Sequence, residues 1–297
     1  MANDTFGNCN YDIPGWEFTI QTCCLAQSSF NYRPTFAGNL IFTILFCILI
    51  IPQLFLGIRH KTWGYMAGTI IGFAFEALGY AGRVRLHINP FESISFWIYL
   101  IAVTIAPVFI SAAIYLCLAR IMRFYGEQNV RFAPRTIAIG FMTSDFTSLV
   151  LQAAGGAYAS MSEGYTADRR GAWIMIAGLI LQVVSLGGDF AWRYFRGSVD
   201  QCPERRRIRG TNLFKAFEVS LLAATVTILT RSAFRVAELW NGFSSSLWND
   251  QVAFMVLDGA MVGVASLLLS VFHPGPAFGG QWSAMSWSFK RSKNVDG

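Results

Sequence analysis

In the stretch FAFEALGYAGRVR, residues 73–85, Glu76, Tyr80 and Arg83 recur at i, i+4 and i+7. That spacing sets a carboxyl, a phenol and a guanidinium along one helical stripe. RSAFRVAE repeats it with Arg231, Arg235 and Glu238. SDFTSLVLQ places Asp145 and Gln152 seven apart, with Ser148 between them on the same face. Gln182, Asp189, Asp258 and His273 stand singly in apolar surroundings. Ionisable groups inside apolar segments either pair with one another and lock a bundle, or line a path for an ion or a polar headgroup. Left unpaired at the centre of a bilayer, each costs about 2.5–3.5 kcal/mol on insertion scales. Glu76 and Asp258 are therefore expected to be matched by Arg231 and Arg235, with Glu76 facing one of the two arginines and Arg83 at the outer headgroup level. Asp145 has no basic residue at its depth, and its expected partners are Gln182, Ser148 or water. With Ser148, Gln152 and Gln182 it makes the candidate site for a cation or an amine. No Ser–His–Asp set, phosphate loop or metal cluster accompanies these residues, so the pattern gives an enzyme no footing and calls for no cofactor. His273, in FHPGP, reads as a helix-end cap rather than a metal ligand.

The elements that hold these residues are long apolar runs. Of 297 residues, 54% are hydrophobic and 13% charged; mean hydropathy is +0.44. An average soluble domain carries about 25% charged residues, so the chain reads as an all-α membrane protein. Seven segments reach the roughly 20 residues a spanning helix needs: 34–56, 64–82, 94–118, 137–159, 172–192, 213–235 and 252–272. Their hydrophobicity is continuous rather than alternating, which excludes barrel strands. Of the 23 basic residues, 16 fall in the loops after the first, third and fifth segments and in the C-terminal tail. That bias predicts an outside N-terminus and a cytosolic C-terminus. The organisation expected is an extracellular tail over 1–33, one membrane domain over 34–275 and a cytosolic tail over 276–297. Pro107 is expected to kink the third segment.

The net charge of +6 is spread over loops between apolar runs, which fits lipid headgroups and not nucleic acid. The basic loop CPERRRIRGTN, with Arg205, Arg206, Arg207 and Arg209, reads as a cytosolic loop touching anionic lipid. Six cysteines are too few for a disulfide scaffold. An extracellular tail would allow one pair, Cys9 with Cys23 or Cys24. Asn3 fits a glycosylation sequon. No signal peptide is read in the first 30 residues, and no internal repeat of the kind found in many secondary transporters.

YRPTFAGN, FEALGYAGR, APVFISAAIYLCLARI, SDFTSLVLQAAGG, GLILQ, RSAFRVAE and HPG occur in that order between Tyr32 and Gly275. Together they resemble the fungal lipid-translocating exporters, the RTA-like proteins. The resemblance implies seven helices in a plasma membrane with the N-terminus outside. It also implies a role in release of sphingoid long-chain bases, resistance to toxic amphiphiles, or porphyrin movement, with membrane lipids or amphiphilic small molecules as partners. The positions that carry it include Glu76, Tyr80, Arg83, Pro107, Tyr115, Asp145, Ser148, Gln152, Gln182, Arg231, Arg235, Glu238, Asp258 and His273. The chain departs from the pattern around Asp258: Gln251 and Met255 replace a Glu and a Tyr, and LDGAMVG lacks a Pro. Two other readings share the helix count: a seven-helix receptor or sensor, and a scaffold that alters trafficking of other transporters. LARIMRF at the end of the third segment, and the absence of an Asn-Pro-x-x-Tyr pattern, speak against the receptor.

Overall fold

The computed structural model describes residues 28, 30, 32–125, 134–161, 173–174, 176–178, 180, 211–239, 250–279 and 282. Six long helices are described: α1 (Phe36–Arg59), α2 (Trp63–Ile88), α3 (Ser93–Tyr125), α4 (Pro134–Met161), α5 (Asn212–Leu239) and α6 (Gln251–Val271). A short α7, Pro274–Ala277, follows. The described residues of the expected fifth span, 173–174, 176–178 and 180, are helical. The rest of that span, with Gln182 and Asp189, lies outside the described residues. So do Asn3, Cys9, Cys23, Cys24 and the basic loop.

α1, α3, α5 and α6 are long and apolar enough to cross a membrane on composition alone. α2 and α4, of 26 and 28 residues, are as long but dilute their apolar residues with polar and small ones. α1 shows how lipid inverts the soluble pattern. Its outward face carries Ile41, Ile44, Ile48, Ile51 and Phe55, 49–68% exposed, while Asn39 and Gln53 point inward and are fully buried. Such a face is costly in water and comfortable against acyl chains.

α2 lies along α3 because glycines let the backbones approach. A Cβ at Gly72 would meet Ala106 O at 3.2 Å, and one at Gly82 would meet Ser95 O at 3.1 Å and Tyr99 N at 3.2 Å. Both helices run past the apolar segments expected from sequence, α2 to Ile88 and α3 to Tyr125. α6 is not a uniform helix. Phe254–Ala260 winds as a π-helix that carries Phe254, Asp258 and Gly259 inward. Such wide turns concentrate at functional sites.

Candidate functional site

Two buried polar clusters lie along α3, and the first is ionic. Asp258, on the π turn of α6, accepts through Oδ1 from Arg231 Nε at 2.7 Å and from Arg235 Nε at 3.1 Å. Arg235 Nη1 donates to Glu238 Oε2 at 2.9 Å, one turn along α5. Arg231 Nη2 donates to Val103 O at 2.6 Å. Pro107 explains that last bond. It has no N–H, so the carbonyl four residues earlier loses its helical partner. That carbonyl is Val103 O, and the arginine of a neighbouring helix supplies the donor. The expected kink at Pro107 is thus also a docking point between α3 and α5. All of these side chains are essentially excluded from solvent.

Arg83 is turned into the bundle and fully buried. Its guanidinium carbon lies 4.0 Å from the centroid of Phe254, 4.8 Å from Tyr99 and 5.1 Å from Phe30. Nη2 donates to Tyr32 Oη at 2.8 Å. Phe254 also receives Arg235, at 5.2 Å. One ring therefore serves two cations, and desolvated cation–π contacts reach about 2 kcal/mol. Arg83 reads as interfacial from sequence because the apolar run stops at Gly82. The helix continues to Ile88, with Arg83 and Leu86 as the buried residues of those turns.

Glu76 lies within Coulombic reach of Arg231 and Arg235 but hydrogen-bonds to neither, since Asp258 takes both arginines. Among the described residues, no partner reaches Glu76 Oε1 or Oε2, Tyr80 Oη or Asp258 Oδ2.

The second cluster joins α3, α4 and the described part of the expected fifth span. Asp145, 1% exposed, accepts through Oδ2 from Tyr115 Oη at 3.1 Å. Tyr115 in turn stacks on Phe141. Ser148 Oγ donates to Gly178 O at 2.5 Å, and Gln152 Nε2 donates to Ser148 Oγ at 2.8 Å. A Cβ on Gly178 would sit 2.6 Å from Ser148 O. Ser148 and Gln152 therefore fasten α4 to a neighbouring backbone, while Asp145 points to α3. The residues missed from sequence as site members are Val103, Tyr99, Tyr115, Phe254 and Tyr32. Of these only Val103 had a signal in its spacing, four residues before Pro107.

A third set closes the opposite end of α6. His273 Nδ1 accepts from Gly275 N at 3.1 Å and caps α7. Its ring packs edge-on to Tyr65 and lies near His60, and Nε2 faces Thr62 Oγ1 at 3.5 Å. Leu269 O, orphaned as α6 ends, receives Tyr65 Oη at 2.7 Å and Gln53 Nε2 at 3.3 Å. Gly275 is required, because a Cβ there would meet the His60 side chain at 2.4 Å. Burial, with repulsion from His60, lowers the His273 pKa from 6.5 to about 4. The unfolded chain takes up this proton at higher pH than the folded one, so this contribution to stability is lost as pH falls from 6.5 towards 4. The unfolding midpoint of the wild type should accordingly drop more steeply between neutral pH and about 4.5 than that of His273→Asn, whose amide oxygen can still cap but does not titrate. Parallel curves would show that His273 carries no such latch.

The family model described as RTA1 like protein matches residues 69–281. The sphingoid long-chain base transporter RSB1 of Saccharomyces cerevisiae is 29% identical over 283 residues, covering 84% of this chain and 74% of its own. Protoporphyrin uptake protein 1 of the same organism is 28% identical, covering 70% and 67%. Protein RTM1, also from Saccharomyces cerevisiae, is 26% identical, covering 74% and 70%. No solved structure matches.

Proposed function

The chain belongs to the RTA1-like family, and on that premise we propose that it exports single-chain cationic amphiphiles, sphingoid long-chain bases or close analogues, across the plasma membrane. It is a multi-pass membrane protein, and its relatives carry the names of transporters and uptake proteins rather than enzymes. The proposed arrangement has seven spans, the expected fifth included, with the N-terminus outside and the C-terminus in the cytosol. Release of toxic amphiphiles by this route would give resistance to them.

The observation that carries the reading is the buried carboxyl of Asp145, held by a phenol at 3.1 Å. In this reading the amine of the substrate is held at the Asp145 carboxyl, beside the Tyr115 hydroxyl, in a low-dielectric site where charge attraction is strong. The tail of a single-chain amphiphile could remain in lipid while the amine is held. Ser148 and Gln152 support this site by fixing α4, and Gln182 is retained as a proposed contact.

Asp145→Asn preserves shape and removes the charge. Cells carrying the variant should release a labelled sphingoid base at least about tenfold more slowly at equal surface expression, as loss of one charged hydrogen bond implies. Unchanged release would remove the amine from this site.

A further inference from the structure

Glu76, Tyr80 and Asp258 leave four oxygen acceptors without a partner among the described residues: Glu76 Oε1 and Oε2, Tyr80 Oη and Asp258 Oδ2. All three residues are 0% exposed. A buried polar group left unmade is expensive, costing about 1–3 kcal/mol and more when charged. Natural bundles keep such groups where something fills them.

The three residues share one locality. Glu76 and Tyr80 sit one turn apart on α2, and the hydroxyl of Tyr80 abuts Gly259, where a Cβ would lie 2.7 Å away. Gly259 directly follows Asp258 on the π turn. Glu76 and Tyr80 each lie within Coulombic reach of Asp258. Close by, two guanidiniums, Arg231 and Arg235, already face two carboxylates, Asp258 and Glu238. Glu76 is the third carboxyl of that group, and Arg83, within Coulombic reach of Tyr80 and Glu238, is its third guanidinium. Arg83 is held two turns along α2 from Glu76 among Phe30, Tyr99 and Phe254 and donates to none of the four open oxygens.

What is missing is therefore a donor-rich group. A primary ammonium has three N–H donors and no acceptor, which matches three acceptor groups beside carboxyls. A quaternary ammonium has the charge without the donors, and an acylated amine keeps the tail without the charge.

We propose that Glu76, Tyr80 and Asp258 form a second ammonium station, distinct from Asp145, for the headgroup of a single-chain primary amine. The proposal rests on the transport reading above. α3 relates the two stations. Val103 takes the Arg231 contact of one and Tyr115 the Asp145 contact of the other. Those residues lie about 18 Å apart along the helix at 1.5 Å per residue. An amphiphile handed between the two would advance most of a bilayer leaflet while its tail stays in lipid.

The test is equilibrium binding of octadecylamine, N-acetyl-octadecylamine and octadecyltrimethylammonium to purified full-length protein in lipid nanodiscs. Wild type should bind the primary amine at least about tenfold tighter than either analogue. Glu76→Gln should weaken octadecylamine about tenfold, and Tyr80→Phe about threefold, each with an unfolding midpoint at or above wild type. Tyr80→Phe guards against a folding artefact, because its lost hydroxyl has no described partner to strand. Unchanged affinity in both variants would overturn the second station whatever Asp145→Asn does, leaving these acceptors to ordered water. A loss with Glu76→Gln but none with Asp145→Asn would uphold the station and remove Asp145 from the transport reading. Equal binding of all three probes by the wild type would overturn both.

Discussion

Asp258→Ala is expected to destabilise the bundle by about 3–5 kcal/mol, the range for breaking a buried pair by removing one partner. The change strands two guanidiniums at once. Among the described residues Arg235 keeps its bond to Glu238, while Arg231 keeps its bond to Val103 O and has Glu76 only within Coulombic reach, so more of the penalty falls on Arg231. Removing its charge as well should recover part of the loss. Asp258→Ala with Arg231→Met should therefore be more stable than the two single costs predict, by about 0.5–3 kcal/mol of coupling. Asp258→Asn retains an oxygen for the arginines and should fall between wild type and alanine. Thermal unfolding of purified protein, with surface expression alongside, measures the whole series. Additive effects would mean that the 2.7 Å contact between Arg231 and Asp258 contributes no coupling.

Gly82→Val should be the other severe change. The added carbons meet Ser95 O and Tyr99 N, which are backbone and cannot rotate away. Overpacking of this kind costs about 1–3 kcal/mol, and more where the backbone must move. Here α3 would shift outward, carrying Tyr99 from the face of Arg83. Gly79→Ala should be milder, since a Cβ there first meets the Val103 side chain at 2.4 Å, a group with some freedom to yield. Gly140→Ala is the control, because nothing among the described residues lies within 4 Å of its Cβ position. Equal unfolding midpoints for Gly82→Val and Gly140→Ala would contradict the account of the α2–α3 seam.

The same comparison shows what the sequence made legible. Continuous apolar runs located the six described long helices, because hydropathy reports directly on lipid contact. The i, i+4, i+7 spacing grouped the ionisable residues of α2 and α5, because helical geometry alone fixes a shared face. Pairing was harder to read. Glu76, Arg231, Arg235 and Asp258 were identifiable as one group, yet the sequence could not say that Asp258 takes both arginines. That depends on the π turn, which rotates Asp258 inward and has no compositional signal. The inward turn of Arg83 was hidden for a related reason. Hydropathy reports where lipid ends, and α2 continues for about two turns beyond that point, at 3.6 residues per turn, with Arg83 and Leu86 buried while Ile88 stays exposed. Phe254 looks like any apolar residue in a span, and its place between two guanidiniums follows only from the packing of α2 against α6. Ser148 and Gln152 show the converse. Their types suggest ligands, but their hydrogen bonds go to each other and to Gly178 O.

Transport of an amphiphile by this chain alone is the central claim. Its most direct measurement is transbilayer movement of a fluorescent sphingoid base in liposomes holding the purified protein, beside empty liposomes and liposomes holding Asp145→Asn. The account predicts saturable movement that depends on the protein and is slowed in the variant. Equal rates with wild-type protein and with none would contradict it.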